Sequence, residues 1–365
     1  MGLGKTLQSL AIACYYNKWP ILIITTKTGC ITWREEINKW LSYYLMEKFN
    51  LKQKKLVDEI IVTVKNEQDL ELNTENESKI YICNYTMMKK FINNFKRDFN
   101  FELVILDESQ RIKNKLAKVA KVIPELLKEV NHVMLLSGIP AYSYPNELYT
   151  QLNAIDSTLF VNSNEFENRY CDARCDMWMN WKINGHSNLK ELKLIMNGNL
   201  LIRREKKELN TYFPNKERKI VYLDILESSE KLDKYCKKYL QCREFEREEL
   251  DEQNRKSSRY SVKRHKYLKN YYGLTCEMKL DPVCEYVKDM IINETEKMIV
   301  VAHHRLMLNS LKEMCEEYGF DYMKIDGDTS LEDRVENIKK FKTVPSCRIA
   351  ILSFFTLNTL SFNGK

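Results

Sequence analysis

The sequence lacks any apolar run that approaches the ~20 residues needed for a membrane-spanning helix. It also lacks a basic stretch followed by an apolar stretch, the pattern of a secretory signal. Its eleven cysteines are scattered, and Cys14, Cys83 and Cys347 lie in apolar surroundings. We therefore expect no membrane partner, and an intracellular protein with reduced thiols rather than a secreted disulfide framework.

Little in the sequence suggests a structural metal site. Cys171 and Cys175, with His186 downstream, form the one arrangement that could suggest zinc. A structural zinc site uses four ligands, and no second Cys or His pair stands in register here. We expect no zinc.

The bulk composition favours a globular protein with more than one core. A length of 365 residues exceeds what one compact core normally accommodates, so two domains are expected. The hydrophobic content is 44% and the aromatic content 11%, which argues against general disorder. The net charge of +7 permits a nucleic-acid partner without requiring one, because the clustering of charge matters more than its total.

A glycine-rich loop near the start of the chain predicts a phosphate-binding site. Gly2 and Gly4 allow backbone N–H groups to turn toward phosphate oxygens. Lys5 would reach the β- and γ-phosphates, and the hydroxyl of Thr6 would bind Mg²⁺. The apolar residues 7–13 predict a buried helix whose positive end points at the triphosphate. The predicted nucleotide-binding loop comprises Gly2, Leu3, Gly4, Lys5, Thr6 and Leu7.

A second element, the acidic pair Asp107–Glu108, strengthens this prediction. Alone, the glycine loop is also consistent with an ordinary strand-to-helix turn. The apolar strand 101–106 ends in the acidic pair, as the second half of a nucleoside-triphosphate site requires. The two elements together favour ATP and Mg²⁺ as ligands.

Helices and strands alternate in the first 150 residues, which predicts an α/β fold with a mainly parallel sheet. Polar residues follow each strand, at the edge where open α/β sheets bind ligands. The predicted strands are 20–24, 79–83, 101–106 and 133–136, and a helix is predicted over 33–40.

Residues 145–275 have a helical pattern rich in tyrosine, asparagine and charge. Within them, residues 243–271 suit a solvated helix face, although Lys263–Lys266 could instead contact a phosphate backbone. The α/β rhythm returns near Lys279. Strands are predicted over 298–302, 321–325 and 349–353, with helices over 305–318 and 331–341.

The order of the motifs resembles that of SWI/SNF-type ATPases, within the two-lobed helicases, and is most similar to the annealing-helicase branch, the HepA-related, SWI/SNF-related A-like proteins. The segments that carry the resemblance are residues 1–8, 107–110, 135–140, 145–149, 169–172, 187–192, 202–206, 302–304 and 325–334.

This resemblance implies an α/β fold of two RecA-like parallel-sheet lobes with helical protrusions. The first lobe would bind ATP and span 1–150, and protrusions and an inter-lobe linker would span 151–278. A second, C-terminally truncated and therefore incomplete lobe would span 279–365.

The resemblance also implies a DNA-dependent ATPase that translocates on double-stranded DNA and, in this branch, rewinds bubbles and remodels branched DNA. Single-strand-binding or replication proteins would be engaged through regions outside this chain. The location would be nuclear in a eukaryote and otherwise intracellular.

Catalytic roles follow from the resemblance. Asp107 would hold Mg²⁺ together with Thr6, and Glu108 would orient the attacking water. Gln110 would sense the γ-phosphate or relay to Ser137, which with Gly138 forms the coupling motif. The alternative for the acidic pair is a solvated strand end. Lys5, Asp107, Glu108 and Gln110 are the predicted catalytic residues.

The resemblance implies DNA contacts at strand ends in both lobes, where hydroxyls, amides and lysines suit phosphate oxygens. A packed position is the stronger interpretation for Trp33, and one histidine of the pair 303–304 is expected in the core. Packing is as consistent as catalysis for Arg203 and Arg204. The predicted DNA contacts are Lys27, Thr28, Asn84, Tyr85, His304, Thr329, Ser330 and Ser353.

Several positions depart from the family pattern. Thr26 stands where a proline is common, and Ile139 where a threonine is usual. Residues 353–362 lack the glycine of their motif, and no counterpart of the arginine-finger motif follows them. We therefore expect that this chain alone could hydrolyse ATP slowly, or act as a DNA-binding remnant. An RNA helicase is the third alternative, disfavoured by the signature at 203–206.

Overall fold

The computed structural model describes residues 2–52, 57–71, 79–160, 162–175, 179–205, 208, 217–224, 230–253 and 258–356. Two compact units make up the chain, Met1–Asn215 and Lys216–Lys365. The predicted division at residues 150 and 278 stays a prediction. Within the described ranges, no helix is long and apolar enough to cross a membrane.

The first unit is built on a five-stranded parallel sheet with the order β2-β3-β1-β4-β5. Every residue of β1 is buried, because helices cover both faces of this central strand. β5 lies at the edge and is only half-buried. All four predicted strands are confirmed, as β1, β3, β4 and β5. The strands are β1 (Ile21–Thr25), β2 (Ile61–Val64), β3 (Ile80–Asn84), β4 (Leu103–Asp107) and β5 (His132–Leu136).

Seven helices accompany this sheet among the described residues. On one face, α1 and α2 pack against β1 and β4 through Leu10, Ala13, Trp33 and Ile37. On the other face, α6 and α7 contribute aromatic and aliphatic side chains to a second core. The seven helices are α1 (Lys5–Tyr15), α2 (Lys27–Trp40), α3 (Ser42–Lys48), α4 (Val57–Ile60), α5 (Gln68–Glu71), α6 (Tyr85–Asp98) and α7 (Lys118–Leu127).

The first helix differs from its prediction. Ser9, Leu10 and Ala13 are buried, whereas Leu7 and Ile12 are exposed. The prediction of a buried helix therefore holds for one face only, the face that packs on the sheet.

The rest of the first unit forms a smaller helical cluster, as the sequence pattern predicts. Cys171 is buried in its apolar core, where burial raises the pKa of the thiol to about 11, whereas Cys175 is exposed. Its elements are α8 (Asn146–Ile155), α9 (Ser163–Tyr170), the antiparallel pair β6 (Arg174–Cys175) and β7 (Trp181–Lys182), α10 (Leu189–Ile195) and a π-helical turn (Met196–Leu200).

The second unit contains two long helices, α11 and α12, that pack against each other. It also contains a three-stranded parallel sheet in the order β8-β10-β9. The predicted strands and helices are confirmed to within a few residues. The central strand β10 is buried throughout. The elements are α11 (Glu230–Gln253), α12 (Ser258–Met278), α13 (Leu280–Asn293), β8 (Met298–Ala302), α14 (Arg305–Glu317), β9 (Tyr322–Ile325), α15 (Leu331–Thr343) and β10 (Ile349–Ser353).

Candidate nucleotide and DNA site

The glycine loop has the backbone that a phosphate-binding loop needs. Gly2 and Gly4 both have positive φ, at 81° and 72°, a region that favours glycine. Gly4 directly precedes α1, and no described side chain caps the first N–H groups of this helix. Lys5 and Thr6, in the first turn, are half-buried. Uncapped N–H groups at a helix start fit an anionic ligand, so these residues suit a triphosphate.

Asp107 ends β4 and is held by three hydrogen bonds. Its Oδ2 accepts from the Thr25 hydroxyl at 3.0 Å and from the Trp33 indole N–H at 2.9 Å. Its Oδ1 accepts from the backbone N–H of Glu108 at 3.0 Å. Thr25 and Trp33 are buried, so these contacts join the acidic strand to β1 and α2 inside the unit.

Glu108 leaves the strand in a left-handed conformation, with a φ of 53°. Such a backbone is uncommon for a residue with a Cβ, and it recurs at functional sites. The Gln110 amide donates to the Glu108 carboxylate at 2.5 Å. The turn after β4 therefore holds the second acidic side chain beside Gln110.

Gln110 also connects β4 with the loop after β5. The Ser137 hydroxyl donates to Gln110 Oε1 at 2.7 Å and accepts from the backbone N–H of Ile139 at 3.1 Å. Gly138 is the residue between Ser137 and Ile139 in this loop. The expected link from Gln110 to Ser137 is thus present as a hydrogen bond, and its role in coupling stays a prediction.

A buried polar group beneath this loop was not found from the sequence. The Gln151 carbonyl accepts from the Ser109 hydroxyl at 2.8 Å, and its amide donates to Pro140 O at 2.7 Å and Glu147 O at 3.0 Å. Ser109 and Gln151 are both buried. The helix pattern at residues 145–149 was the only sequence cue, because the helix that it begins carries Glu147 and Gln151.

Glu147 also contacts the loop after β5, through its carboxylate. Its carboxylate accepts from Lys113 Nζ at 2.8 Å and from the Tyr142 backbone N–H at 2.5 Å. Burial acts to raise the pKa of Glu147, but the hydrogen bonds from Lys113 and Tyr142 outweigh it and hold the pKa below its usual value.

The predicted DNA contacts of the first unit lie at the carboxyl ends of β1 and β3. Lys27 is exposed at the start of α2, and Thr28 is half-buried beside the Thr26 hydroxyl. Thr26 caps α2 by accepting from Gly29 N–H at 3.0 Å, which explains a hydroxyl at this position.

Asn84 and Tyr85 point to different partners. The Asn84 side chain caps α6 by accepting from the N–H groups of Thr86 and Met87, both at 3.0 Å. Tyr85 is buried and donates to the backbone carbonyl of Asp107 at 2.7 Å. Burial first, and the neighbouring Asp107 second, raise the pKa of Tyr85 well above its usual value. Its observed contact is with the acidic strand, and a direct DNA contact stays a prediction.

The predicted contacts of the second unit also lie at strand ends. The Thr329 hydroxyl donates to Asp326 Oδ1 at 3.0 Å, and Ser330 caps α15 by accepting from Asp333 N–H at 3.1 Å. Ser353 ends β10 and is buried. These side chains thus order the loop and helix starts at one edge of the three-stranded sheet.

His304 lies at the same edge and is half-buried, whereas His303 is exposed and its ring centroid lies 5.0 Å from that of Phe355. The expectation that one of the two histidines belongs to the core was therefore wrong, because both follow the end of β8. Trp33, by contrast, is packed inside as the sequence favoured.

Comparison with known families places these features in context. Residues 1–284 match the SNF2-related domain, and residues 278–358 match the helicase conserved C-terminal domain. The chain is 35% identical over 98% of its length to the SWI/SNF-related matrix-associated actin-dependent regulator of chromatin subfamily A-like protein 1 of Xenopus laevis, covering 34% of that protein. It is 29% identical over 97% of its length to the human DNA annealing helicase and endonuclease ZRANB3, covering 31% of it.

Among solved structures, the Sulfolobus solfataricus SWI2/SNF2 ATPase core in complex with dsDNA aligns with a TM-score of 0.47 and 18% identity. That alignment covers 97% of this chain and 72% of the archaeal one. The chain spans about a third of the length of the Xenopus and human relatives. The resemblance inferred from the motifs, including its annealing branch, is confirmed by the sequence matches. This chain belongs to the SNF2-related domain family.

Proposed function

We propose that this chain is an ATP-driven motor that moves along double-stranded DNA, and that it serves to rewind single-stranded regions of branched DNA. The observation that carries the proposal is the connected acidic site. Asp107 ends β4 and Glu108 follows it, and hydrogen bonds through Gln110 join Glu108 to Ser137, the residue directly after the neighbouring strand β5. The annealing activity is proposed because the human relative is a DNA annealing helicase and endonuclease.

The proposed nucleotide site uses the glycine loop and the acidic strand. The positive φ values of Gly2 and Gly4 and the uncapped start of α1 support a triphosphate cradle. Leu3 and Leu7 flank that cradle, and Lys5 would neutralise charge on the β- and γ-phosphates. Thr6 and Asp107 would hold the Mg²⁺ ion, which when bound neutralises charge developing on the transferred phosphoryl group.

Glu108 would act on the attacking water. Its carboxylate needs a fixed direction to accept a proton or orient the water, and the hydrogen bond from Gln110 supplies one. Ser137 and Gly138 would couple this site to the rest of the loop after β5, because Ser137 is hydrogen-bonded to both Gln110 and the N–H of Ile139.

The DNA side would follow the carboxyl edges of the two sheets. Lys27 is exposed there, and Thr28 and Asn84 lie at the ends of neighbouring strands that pair Thr25 with Asn84. Tyr85 would support this edge through its bond to Asp107. In the second unit the proposed contacts are His304, Thr329, Ser330 and Ser353. Contacts of this kind position a duplex without reading its sequence.

The test is the ATPase rate of the 365-residue chain without nucleic acid and with duplex DNA, forked DNA or duplex RNA. Lys5→Ala removes the side chain proposed to contact the phosphates, and Glu108→Gln removes the carboxylate proposed to act on the attacking water. We expect stimulation by DNA that both substitutions abolish. Equal stimulation by RNA would favour an RNA helicase. No turnover by a folded chain that binds ATP would favour a DNA-binding remnant.

For a eukaryotic source, we propose a nuclear location.

A further inference from the structure

We propose that Trp33 and Thr25 are positioning residues for Mg²⁺, which hold the Asp107 carboxylate in one orientation. The inference rests on the proposed ATPase function. Both side chains donate to the same oxygen, Oδ2, at 2.9 Å from the indole nitrogen and 3.0 Å from the hydroxyl. Neither residue belongs to the glycine loop or to the acidic pair.

Counting lone pairs shows what this arrangement leaves for a metal. Each carboxylate oxygen offers two acceptor positions. Both positions on Asp107 Oδ2 are taken by Thr25 and Trp33, and one on Oδ1 is taken by the backbone N–H of Glu108. One position on Oδ1 is left. Asp107 would therefore present this single position of Oδ1 to the hydration shell of Mg²⁺.

Burial makes the two donors effective. Trp33 is 1% exposed and Thr25 is fully buried, so water does not compete for their donors. A hydrogen bond to a charged acceptor is stronger than one between neutral groups, and more so away from water. Asp107, unlike these two donors, is only half-buried.

The local fold fixes both donors from one short stretch of chain. Thr25 ends β1, Thr26 caps α2, and Trp33 lies on the buried face of that helix with Ile37. An ideal Cβ on Gly29 would lie 2.2 Å from the Thr25 hydroxyl oxygen. Only a glycine at this point of α2 therefore lets the helix approach β1 with the Thr25 hydroxyl in place.

Trp33→Phe is the direct test, because it removes the N–H donor and keeps a buried aromatic ring. Trp40→Phe is a matched control on the same helix. Its indole also donates to a carboxylate, Glu36 Oε2 at 2.6 Å, but Trp40 is exposed at the last residue of α2. Thr25→Val and Thr25→Ser form a second pair, in which the hydroxyl is removed or kept.

The measurement is the Mg²⁺ concentration at half-maximal binding of a fluorescent ATP analogue, with affinity in EDTA measured alongside. Substitutions in the shell that orients metal ligands commonly weaken metal affinity by about tenfold or more. We expect Trp33→Phe and Thr25→Val to raise the Mg²⁺ midpoint by about tenfold. Affinity in EDTA should not change, and Trp40→Phe and Thr25→Ser should match the unmodified chain.

Other outcomes would overturn the proposal. A midpoint for Trp33→Phe equal to that of Trp40→Phe would remove the positioning role. An equal loss of affinity in Mg²⁺ and in EDTA would make Trp33 purely structural. If Trp33→Phe fails to fold, equal midpoints for Thr25→Val and Thr25→Ser would overturn it. Failure of the unmodified chain to bind the analogue would overturn the ATPase proposal as well, which separates the two.

Discussion

Gly29 shows how one missing side chain supports the acidic site. Alanine normally stabilises a helix interior relative to glycine by about 0.5–1 kcal/mol. At this position the new Cβ would lie 2.2 Å from Thr25 Oγ1 and 2.9 Å from Thr26 Oγ1. Gly29→Ala is therefore expected to destabilise the protein by about 1–3 kcal/mol, as overpacking does, and to lower ATP turnover.

Urea unfolding measures this prediction, with Gly273→Ala as the control. Gly273 also lies inside a helix, α12, but a Cβ there would meet no atom within 4 Å. That substitution should leave stability unchanged or raise it. Equal effects of the two substitutions would mean that α2 shifts to accommodate the methyl group.

Glu147 carries a pH-dependent contribution to stability. Its folded-state pKa lies below its ordinary value of 4.5, held there against burial by Lys113 and the loop N–H groups. The carboxylate therefore stabilises the fold above about pH 4.5, and this contribution is lost as the pH falls through the lower folded-state pKa. Glu147→Gln should cost about 2 kcal/mol near neutral pH.

Urea unfolding from about pH 7 to about pH 3 tests this, since the cost should shrink only as the pH falls below about 4.5. Glu125→Gln is the control, because Glu125 also pairs with a lysine, Lys128, at 2.9 Å, but both side chains are about half-exposed. An exposed pair contributes about 0–1 kcal/mol. A pH-independent cost for Glu147→Gln would contradict the assignment.

Residues that act through partners distant in sequence were not predictable. Asp107, Glu108 and Lys5 could be predicted as site residues because their motifs are local, and their roles stay predictions. The support of Asp107 comes from residues 82 and 74 positions away, and Ser109 pairs with Gln151 across 42 positions. Trp33 was correctly predicted to be packed inside, but its indole partner depends on the register of β1 beside β4.

At the scale of elements, all strands of the two parallel sheets except β2 were predictable, because each is a short apolar run followed by polar residues. The short helices α3, α4 and α5 and the strand β2 were not predicted, since four to seven residues carry too little periodicity to decide their type. The exposure of β5 depends on its position at the sheet edge, which follows from strand order rather than from its own sequence.

The helix α8 is attached to the acidic loop through a buried amide. Gln151→Leu would leave the Ser109 hydroxyl and the Pro140 carbonyl without this partner, at a cost of about 1–3 kcal/mol. Ser109→Ala removes one of the two unpaired groups in advance. The double substitution is therefore expected to cost less than the sum of the single ones, as measured by a cycle of urea unfolding experiments. Strict additivity would show that the two side chains do not interact.

At the scale of the whole molecule, a net charge of +7 draws the chain toward any polyanion but does not say where DNA binds. The predicted contacts are mostly hydroxyl and amide groups, and Lys27 is the one side chain among them with a permanent positive charge. Each phosphate that a lysine neutralises adds about 0.9 to the slope of log affinity against log salt concentration. Lys27 should therefore contribute about one such increment.

Lys27→Ala should lower the salt slope of duplex binding by about 0.9, and weaken binding most at low salt. Fluorescence anisotropy with two duplexes of unrelated sequence measures the slope, and both duplexes should give the same change because phosphate contacts do not read bases. Lys39→Ala is the matched control, since Lys39 is exposed in the last turn of the same helix, where its ammonium lies over the Trp40 ring. It removes the same charge from the total. Equal slopes for the two variants would mean that net charge, rather than the carboxyl edge of the sheet, governs DNA binding.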